Sequence, residues 1–143
     1  MISLVDMLWP CAMQVDVTRK ALSQMRAHAA AALPLEACGI LLGGVARITE
    51  ARAAANIHPA PATHFEIDPQ ALIDAHRAAR AGGPAVIGYY HSHPRGPAAP
   101  SATDRASAAG DGRVWAIIAG EDVAFWRDGE QGFVALPFTV CDG

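Results

Sequence analysis

The sequence predicts an α/β fold with three layers, α/β/α, in which helices flank a mixed β-sheet. Segments with the apolar spacing of helices alternate with short apolar runs early in the chain, and such runs dominate its last part. Hydrophobic residues make up 52% of the 143 residues and charged residues 17%, a balance typical of a folded chain. We therefore expect a single domain over residues 1–143.

The first predicted helix runs from about Asp16 to Leu33. Asp16 is of a residue type that caps helix N-termini, and Pro34 is expected to end the helix. The apolar residues of this segment recur every four positions and therefore line one helix face: Val17, Ala21, Met25 and Ala29.

The second predicted helix has signals at both ends. Asp68 is placed to cap it, Pro69 occupies its first position, and the glycine pair at 82–83 is expected to end it. A third, shorter helix is predicted to start near Ser101 and to end by Gly110.

Short apolar runs bounded by Gly and Pro predict six buried strands. In chain order they are Cys38–Leu42, Arg47–Ala53, Ala85–His91, Val114–Ala119, Val123–Trp126 and Phe133–Phe138. The segment Gly120–Glu121–Asp122 favours a tight hairpin between the fourth and fifth of them.

Charge and cysteine content argue against several functional classes. The formal net charge is -3 at pH 7 and no run of Lys or Arg occurs, so nucleic acid and anionic membrane surfaces are not expected partners. Cys11, Cys38 and Cys141 are an odd number, widely spaced and without a Cys-x-x-Cys pair. This pattern argues against a disulfide framework and a cysteine-ligated zinc site, and it favours a reducing compartment.

The apolar N-terminus does not have the form of a signal peptide. Asp6 and Pro10 interrupt it, and no basic residue precedes Arg19. No apolar run approaches the roughly 18–20 residues that a membrane span requires. We therefore expect a cytoplasmic protein.

Residues 85–104 carry the candidate chemistry. His91 and His93 are two positions apart at the end of a predicted strand, so both imidazoles project to the same side. The following loop, rich in Gly, Pro and Ala, can fold back and deliver Ser101 and Asp104 at the start of the next helix. Two imidazoles and one carboxylate match the three protein ligands of a catalytic zinc, which leaves one coordination position open.

A general base is needed beside such a metal, and Glu36 is the candidate. Glu36 lies between Pro34 and a strand that is predicted to be buried. A charged residue at such a position is unusual and suggests a functional role. Purely structural interpretations also stay open. Ser101 and Asp104 match the pattern of a helix capping box, and Glu36 could be a surface residue. We expect Cys38 to be a small buried hydrophobe rather than a nucleophile, and the remaining histidines to be ordinary polar residues.

Together these residues resemble the motif of the JAMM metalloprotease family, also called MPN-plus. The motif is an upstream Glu, then His-[Ser/Thr]-His, seven residues, Ser, two residues and Asp. The sequence contains this pattern without departure, as Glu36, His91-Ser92-His93, Ser101 and Asp104. The resemblance extends over roughly residues 15–126, and its flanks are LPLEACGILLGG around the Glu and the stretch from Asn56 to Pro69.

The resemblance implies a cytidine-deaminase-like fold and a zinc peptidase. Many family members cleave peptide or isopeptide bonds after the C-terminus of ubiquitin-like proteins. The family's roles carry over by position, with His91, His93 and Asp104 as zinc ligands, Glu36 as general base and Ser101 as donor to the oxyanion. The short chain is similar to small prokaryotic members, which implies a ubiquitin-like or sulfur-carrier protein as substrate.

Several competing functions stay open at this point. Two His and one carboxylate also form the iron site of non-haem oxygenases, although the carboxylate there usually follows the first His closely. A base deaminase would need a Pro-Cys-x-x-Cys motif that the sequence lacks. A non-catalytic MPN scaffold, a general or phage-type peptidase and a deconjugase for a ubiquitin-like tag also stay open. The sequence does not indicate an oligomeric state.

Overall fold

Eight strands and three helices make up the part of the chain that the computed structural model describes, residues 14–142. The strands are β1 (Val15–Thr18), β2 (Cys38–Gly44), β3 (Arg47–Ala54), β4 (Ala85–Ser92), β5 (Val114–Ala119), β6 (Asp122–Gly129), β7 (Gly132–Leu136) and β8 (Phe138–Cys141). The helices are α1 (Arg19–Ala32), α2 (Pro69–Arg80) and α3 (Ala102–Ser107). Among these residues no helix is long and apolar enough to cross a membrane. Cys11 and the N-terminal stretch tested for a signal peptide lie outside the described residues.

The strands of this part join one mixed sheet in the order β7-β6-β5-β4-β2-β3-β1-β8. β4 runs parallel to β5, β1 runs parallel to both β3 and β8, and the remaining neighbours are antiparallel. β4 therefore lies in the middle of the sheet and is hydrogen-bonded to β2 on one side and to β5 on the other. A strand held along both edges gives rigid support to the side chains at its end.

Helices cover both faces of the sheet, which confirms the predicted three-layer fold. On one face Met25 of α1 joins a core that includes Leu41 and Tyr90. On the other face Ala75 of α2 packs with Ile40. The adjacent residues of β2 serve different cores because successive side chains of a strand point to opposite faces.

The start of the described chain differs from the prediction. Asp16 does not cap α1, because Val15–Thr18 pairs as a strand between β3 and β8. The cap is Thr18, whose Oγ1 accepts the amide hydrogen of Ala21 at 3.1 Å. Both valines of this strand are fully buried, and that burial outweighs the local capping preference of Asp16.

The end of the chain also differs from the prediction. The predicted strand Phe133–Phe138 consists of two strands, β7 and β8, which lie at opposite edges of the sheet. Pro137 separates them because it has no amide hydrogen for a ladder, and its carbonyl accepts from the amide of Val15 at 3.1 Å. The chain thus leaves β6 and crosses to β1.

The second and third predicted helices and the hairpin are confirmed. α2 begins at Pro69, and the carboxylate of Asp68 accepts the amide hydrogen of Gln70 at 3.1 Å. α3 begins after Ser101 as predicted. β5 and β6 form the expected antiparallel hairpin, in which Gly120 takes the left-handed conformation with φ of 60°.

Candidate active site

β4 brings two histidines to the same place. His91 lies opposite Cys38 of β2 and Ile117 of β5. His93 directly follows the strand, and its backbone amide donates to the carbonyl of Ile118 at 2.8 Å. His91 is 1% exposed and His93 is 9% exposed, and their Nε2 atoms are 3.1 Å apart.

The carboxylate of Asp104 joins these imidazoles from the first turn of α3. The amide of Asp104 donates to the Ser101 hydroxyl at 3.1 Å, and Oδ2 of Asp104 accepts the amide hydrogen of Ser101 at 3.0 Å. The capping box indicated by the sequence is therefore present. The same Oδ2 lies 3.1 Å from Nε2 of His91 and 3.1 Å from Nε2 of His93, so the cap holds the carboxylate against both imidazoles.

The three side chains fit a metal ion. Their two Nε2 atoms and Oδ2 form a triangle with edges of 3.1 Å. Tetrahedral zinc with bonds of about 2.0–2.1 Å would separate its ligand atoms by about 3.3 Å, which is close to that edge. Nδ1 of His93 lies 2.9 Å from the carbonyl of Pro97, which only accepts, so Nδ1 carries a hydrogen, and Nε2 offers a lone pair when the imidazole is in its neutral form. Within residues 14–142 this is the only group of three His, Cys, Asp or Glu side chains whose ligand atoms lie within 4.8 Å of one another.

Burial and hydrogen bonding set the charges of this group. Burial lowers the pKa of His91, which outweighs the neighbouring carboxylate and favours a neutral imidazole. His93 is also desolvated, but its hydrogen bonds to Asp104 and Pro97 raise its pKa above the ordinary value. Burial would raise the pKa of Asp104, yet hydrogen bonds from both imidazoles hold it well below the usual range. An anionic carboxylate between two imidazoles is a donor set suited to a cation.

Glu36 reaches this group from the loop between α1 and β2. Its amide donates to the carbonyl of Pro61 at 2.8 Å, and its carbonyl accepts from Nδ2 of Asn56 at 3.1 Å. The amide of Ala37 donates to the hydroxyl of Ser92 at 2.8 Å, and the amide of Ser92 donates to the carbonyl of Ala37 at 2.9 Å. Because Ser92 stands between the two histidines, these bonds tie the Glu36 loop directly to the end of β4.

The Glu36 residue is 8% exposed, so the surface interpretation is wrong. Burial raises the pKa of its carboxyl to about 7, with a lowering contribution from His93 and a raising contribution from Asp104. A carboxyl with a pKa near neutrality can both accept and release a proton near pH 7.

Glu36 lines two pockets. One pocket, of about 610 Å³, also has His93, Ser101 and several prolines in its wall. The second pocket, of about 470 Å³, has Asp104 and aromatic side chains including Phe65 in its wall. Four of the five residues predicted from the motif therefore line one or both of these pockets, and the fifth, His91, lies against His93 and Asp104.

Two aromatic side chains fix His91, and neither had a role in the sequence-based prediction. The ring of Phe65 stacks on His91 with the ring centroids 4.2 Å apart and 16° between the planes. Trp115 meets the same imidazole edge-on, with centroids 5.7 Å apart. An imidazole packed in this way has little rotational freedom, so its Nε2 stays directed at Asp104.

Asn56 is a further residue to which sequence reasoning assigned no role. Its Nδ2 donates to the carbonyls of Glu36 and His64 at 3.1 and 3.0 Å, and its Oδ1 accepts the amide hydrogens of His58 and Glu66, both at 3.1 Å. All four hydrogen-bonding positions of the amide are thus used. Its position two residues after β3, in a stretch that resembles the family, is the signal that could have identified it.

Three histidines that were expected to be ordinary polar residues make other contacts and are not part of the ligand group. Nδ1 of His28 is 2.7 Å from the Tyr90 hydroxyl, and His58 stacks on His64 with centroids 4.7 Å apart. Cys38 is fully buried, as expected, and burial raises the pKa of its thiol to about 12, which disfavours the thiolate.

Comparison with known sequences identifies similar domains. A family described as prokaryotic homologs of the JAB domain, Prok-JAB, matches residues 18–129. A desampylase from Haloferax volcanii is 36% identical over 104 residues, covering 71% of this chain and 75% of that protein. A probable TtuB-protein conjugate cleaving protease from Thermus thermophilus is 39% identical over 88 residues, or 62% of this chain, and the match spans 59% of that protein.

Solved structures show the same architecture. A solution structure from Desulfitobacterium hafniense matches with a TM-score of 0.78 and 29% identity over 91% of this chain and 94% of that one. A JAB1/MPN domain protein from Archaeoglobus fulgidus matches with a TM-score of 0.56 and 18% identity, covering 88% of this chain and 97% of that one. The second match, at its low identity, supports the fold alone.

Proposed function

The chain belongs to the family of prokaryotic homologues of the JAB domain, and from this membership we propose that it is a zinc-dependent peptidase. Its proposed reaction is hydrolysis of a peptide or isopeptide bond at the C-terminal glycine of a ubiquitin-like or sulfur-carrier protein. One observation carries the proposal: the ligand atoms of His91, His93 and Asp104 converge, and the buried Glu36 residue lines one pocket with His93 and a second with Asp104.

The chain is a hydrolase of peptide or isopeptide bonds. Its family consists of metalloproteases. Two similar proteins are named for this kind of activity: a desampylase and a probable protease that cleaves TtuB-protein conjugates. Cleavage of a protein from a conjugate is the bond class that we propose for this chain.

His91, His93 and Asp104 would hold the zinc ion. Nitrogen and carboxylate donors suit zinc, and three protein ligands are the number found at catalytic rather than structural sites. When bound, the ion supplies a Lewis acid that increases the acidity of water and polarises a carbonyl. His91 contributes a neutral imidazole and Asp104 contributes the negative charge of the donor set.

Glu36 would move the proton. With its pKa raised to about 7, its carboxylate form is available near neutral pH to accept a proton from the attacking water. The same carboxyl then donates that proton to the leaving nitrogen and returns to its starting state. Its backbone bonds to Pro61 and Asn56 hold it in place during both transfers.

Ser101 would stabilise the charge that builds on the carbonyl oxygen. Its Oγ accepts the amide hydrogen of Asp104, which leaves the hydroxyl proton free to donate. Ser101 lines the pocket that His93 and Glu36 also line. A donor held in this way is already oriented when negative charge develops.

The two pockets beside Glu36 support a substrate with chain on both sides of the cleaved bond. Glu36 lines both pockets, and we propose that the two sides of the cleaved bond occupy one pocket each. Prolines and small residues wall one pocket, including Pro94, Pro97 and Ala99, and such a surface suits a tail rich in glycine. A partner of this kind agrees with the net charge of -3, which makes nucleic acid an unexpected partner.

Two matched substrates test the proposal. One is a small β-grasp protein that ends in Gly-Gly and carries a peptide extension, and the second is the same protein joined through that glycine to a lysine side chain. The zinc-loaded chain is expected to cut at least one of them at the glycine, and Glu36→Gln, which keeps the three ligands, is expected to leave both intact.

The same assay separates the competing functions. Equal cleavage of unrelated unfolded proteins would favour a general peptidase, and stoichiometric zinc without any cleavage would favour a scaffold. Iron as the metal bound on purification would favour an oxygenase. We also propose a cytoplasmic location, supported by Cys38 and Cys141, which are unpaired within the described residues.

A further inference from the structure

The segment between β4 and β5 carries Ser101 and Asp104 with little regular structure of its own. Its helix, α3, is six residues long, and the rest is loop with several Gly and Pro residues. A helix this short is not stable alone. The position of the Asp104 carboxylate therefore depends on contacts from outside the segment.

Trp126 of β6 holds the segment before α3. Its indole Nε1 donates a hydrogen bond to the carbonyl of Ala98 at 3.2 Å. The neighbouring carbonyl, that of Pro97, is held by Nδ1 of His93 at 2.9 Å. The loop is thus attached to both the sheet and a metal-ligand candidate three residues before Ser101.

Asp128 of β6 holds the segment after α3. Its Oδ2 accepts the amide hydrogens of Ala109 and Gly110 at 3.0 and 3.1 Å. Its backbone amide and carbonyl bond to Arg113 and Gly112 at 2.9 and 2.7 Å. Side chain and main chain of this one residue therefore fix the whole turn that leads into β5.

The burial of Asp128 needs an explanation of this kind. The residue is 1% exposed, and its Oδ1 has no hydrogen-bond partner among the described residues. Burial raises the pKa of this carboxyl, which shows that the site disfavours its charge. A buried acid with one unpaired oxygen lowers the stability of a fold. The compensating contribution of Asp128 is the pair of hydrogen bonds that its Oδ2 accepts from backbone amides.

Trp126 and Asp128 act together because they are two positions apart on one strand. Their side chains project from the same face, with Cα atoms about 7 Å apart. The loop residues that they hold, Ala98 and Ala109, are eleven positions apart and enclose Asp104. We infer that this pair closes the 98–109 segment on β6 and sets the distance between Asp104 and the two histidines.

Trp126 and Asp128 are thus positioning residues for the metal centre. The inference rests on the proposed metal site but not on the peptidase activity. It implies that loss of either anchor weakens metal binding without removing any ligand. Changes to outer residues that orient metal ligands typically weaken affinity by about ten- to a hundredfold.

The test measures the zinc dissociation constant by competition with a chromogenic chelator. Asp128→Leu keeps the side-chain size but removes both acceptors, and Trp126→Phe removes the indole donor. Each is expected to raise the dissociation constant by about tenfold or more. Asp128→Asn keeps an acceptor oxygen and is expected to retain most of the zinc affinity of the wild type.

Phe125→Leu is the matched control. Phe125 directly precedes Trp126 on β6 but faces the α1 core, so its change destabilises the fold without touching the loop anchors. If Phe125→Leu weakens zinc as much as Asp128→Leu at a similar loss of stability, the effect is general and the inference is wrong. The inference is also wrong if Trp126→Phe and Asp128→Leu bind zinc like the wild type.

Hydrogen exchange in the metal-free protein gives a second, independent measurement. Amides of residues 98–110 are expected to exchange faster in Trp126→Phe and Asp128→Leu than in the wild type. In Phe125→Leu their exchange rates are expected to equal those of the wild type. If Asp128→Leu does not fold, Trp126→Phe decides the outcome alone. A wild-type chain that binds no zinc would contradict the proposed function, whereas unchanged exchange in the folded variants would contradict only the anchoring.

Discussion

Replacing Glu36 by Gln should stabilise the metal-free protein at pH 8 and have a much smaller effect at pH 5. Burial raises the pKa of this carboxyl from an ordinary 4.5 to about 7. The folded state therefore resists ionisation that the unfolded chain undergoes freely. Stability is lost as pH rises from about 4.5 to about 7, and the full penalty is present above that range.

The size of the penalty follows from the shift. At about 1.4 kcal/mol per pKa unit, a shift of this size corresponds to about 3 kcal/mol above pH 7. The residue lines two pockets, so solvent screening reduces the expected value to about 1–2 kcal/mol. Gln has no charge at any pH and is free of this penalty.

Urea unfolding of chelator-treated protein at pH 5 and pH 8, followed by tryptophan fluorescence, measures the difference. Glu130→Gln, at an exposed position, shows the effect of removing a charge that is not buried. Adding zinc at pH 8 should shrink the advantage of the Gln variant, because a nearby cation favours the carboxylate. Equal differences at both pH values, or a less stable Gln variant at pH 8, would refute the reasoning.

Four further variants have expected outcomes. Asp104→Ala should lose bound zinc, measured by elemental analysis, because two imidazoles alone hold it weakly. Glu36→Gln should keep zinc but lose about a hundred- to ten-thousandfold in kcat, measured on the carrier-protein substrates. Ser101→Ala should lose about 0.5–2 kcal/mol of stability as a cap and about a hundredfold in kcat as a donor. Ser101→Asn, which can still cap, should keep stability and zinc but remain slow; normal kcat in both Ser101 variants would leave it a cap only.

The sequence predicted correctly the helices whose ends are set by residues close to them in the chain. α2 begins at Pro69 after its Asp68 cap, and the capping box at Ser101 and Asp104 begins α3, because these contacts are made within a few residues. The family resemblance read from the spaced motif is confirmed by the match over residues 18–129. The roles of the individual site residues stay predictions.

The misplaced elements depend on contacts distant in sequence. Val15–Thr18 is a strand because β3 and β8 pair with it on either side, and β8 lies more than a hundred residues away in the chain. The same limit hid Asn56 and Trp126, whose side chains bond to backbone carbonyls of distant loops. Residue spacing gives no signal for a partner that is a backbone atom, since every residue has one.

The two interpretations of the Ser-x-x-Asp pattern, helix cap and metal site, describe the same atoms. Oδ2 of Asp104 accepts from the Ser101 amide at 3.0 Å while lying 3.1 Å from both imidazoles, so its rotamer is set by the helix before any ion binds. Fixing a side chain costs conformational entropy, and for Asp104 this cost is already met when the chain folds. In the proposed metal site, this capping bond would therefore contribute to metal affinity.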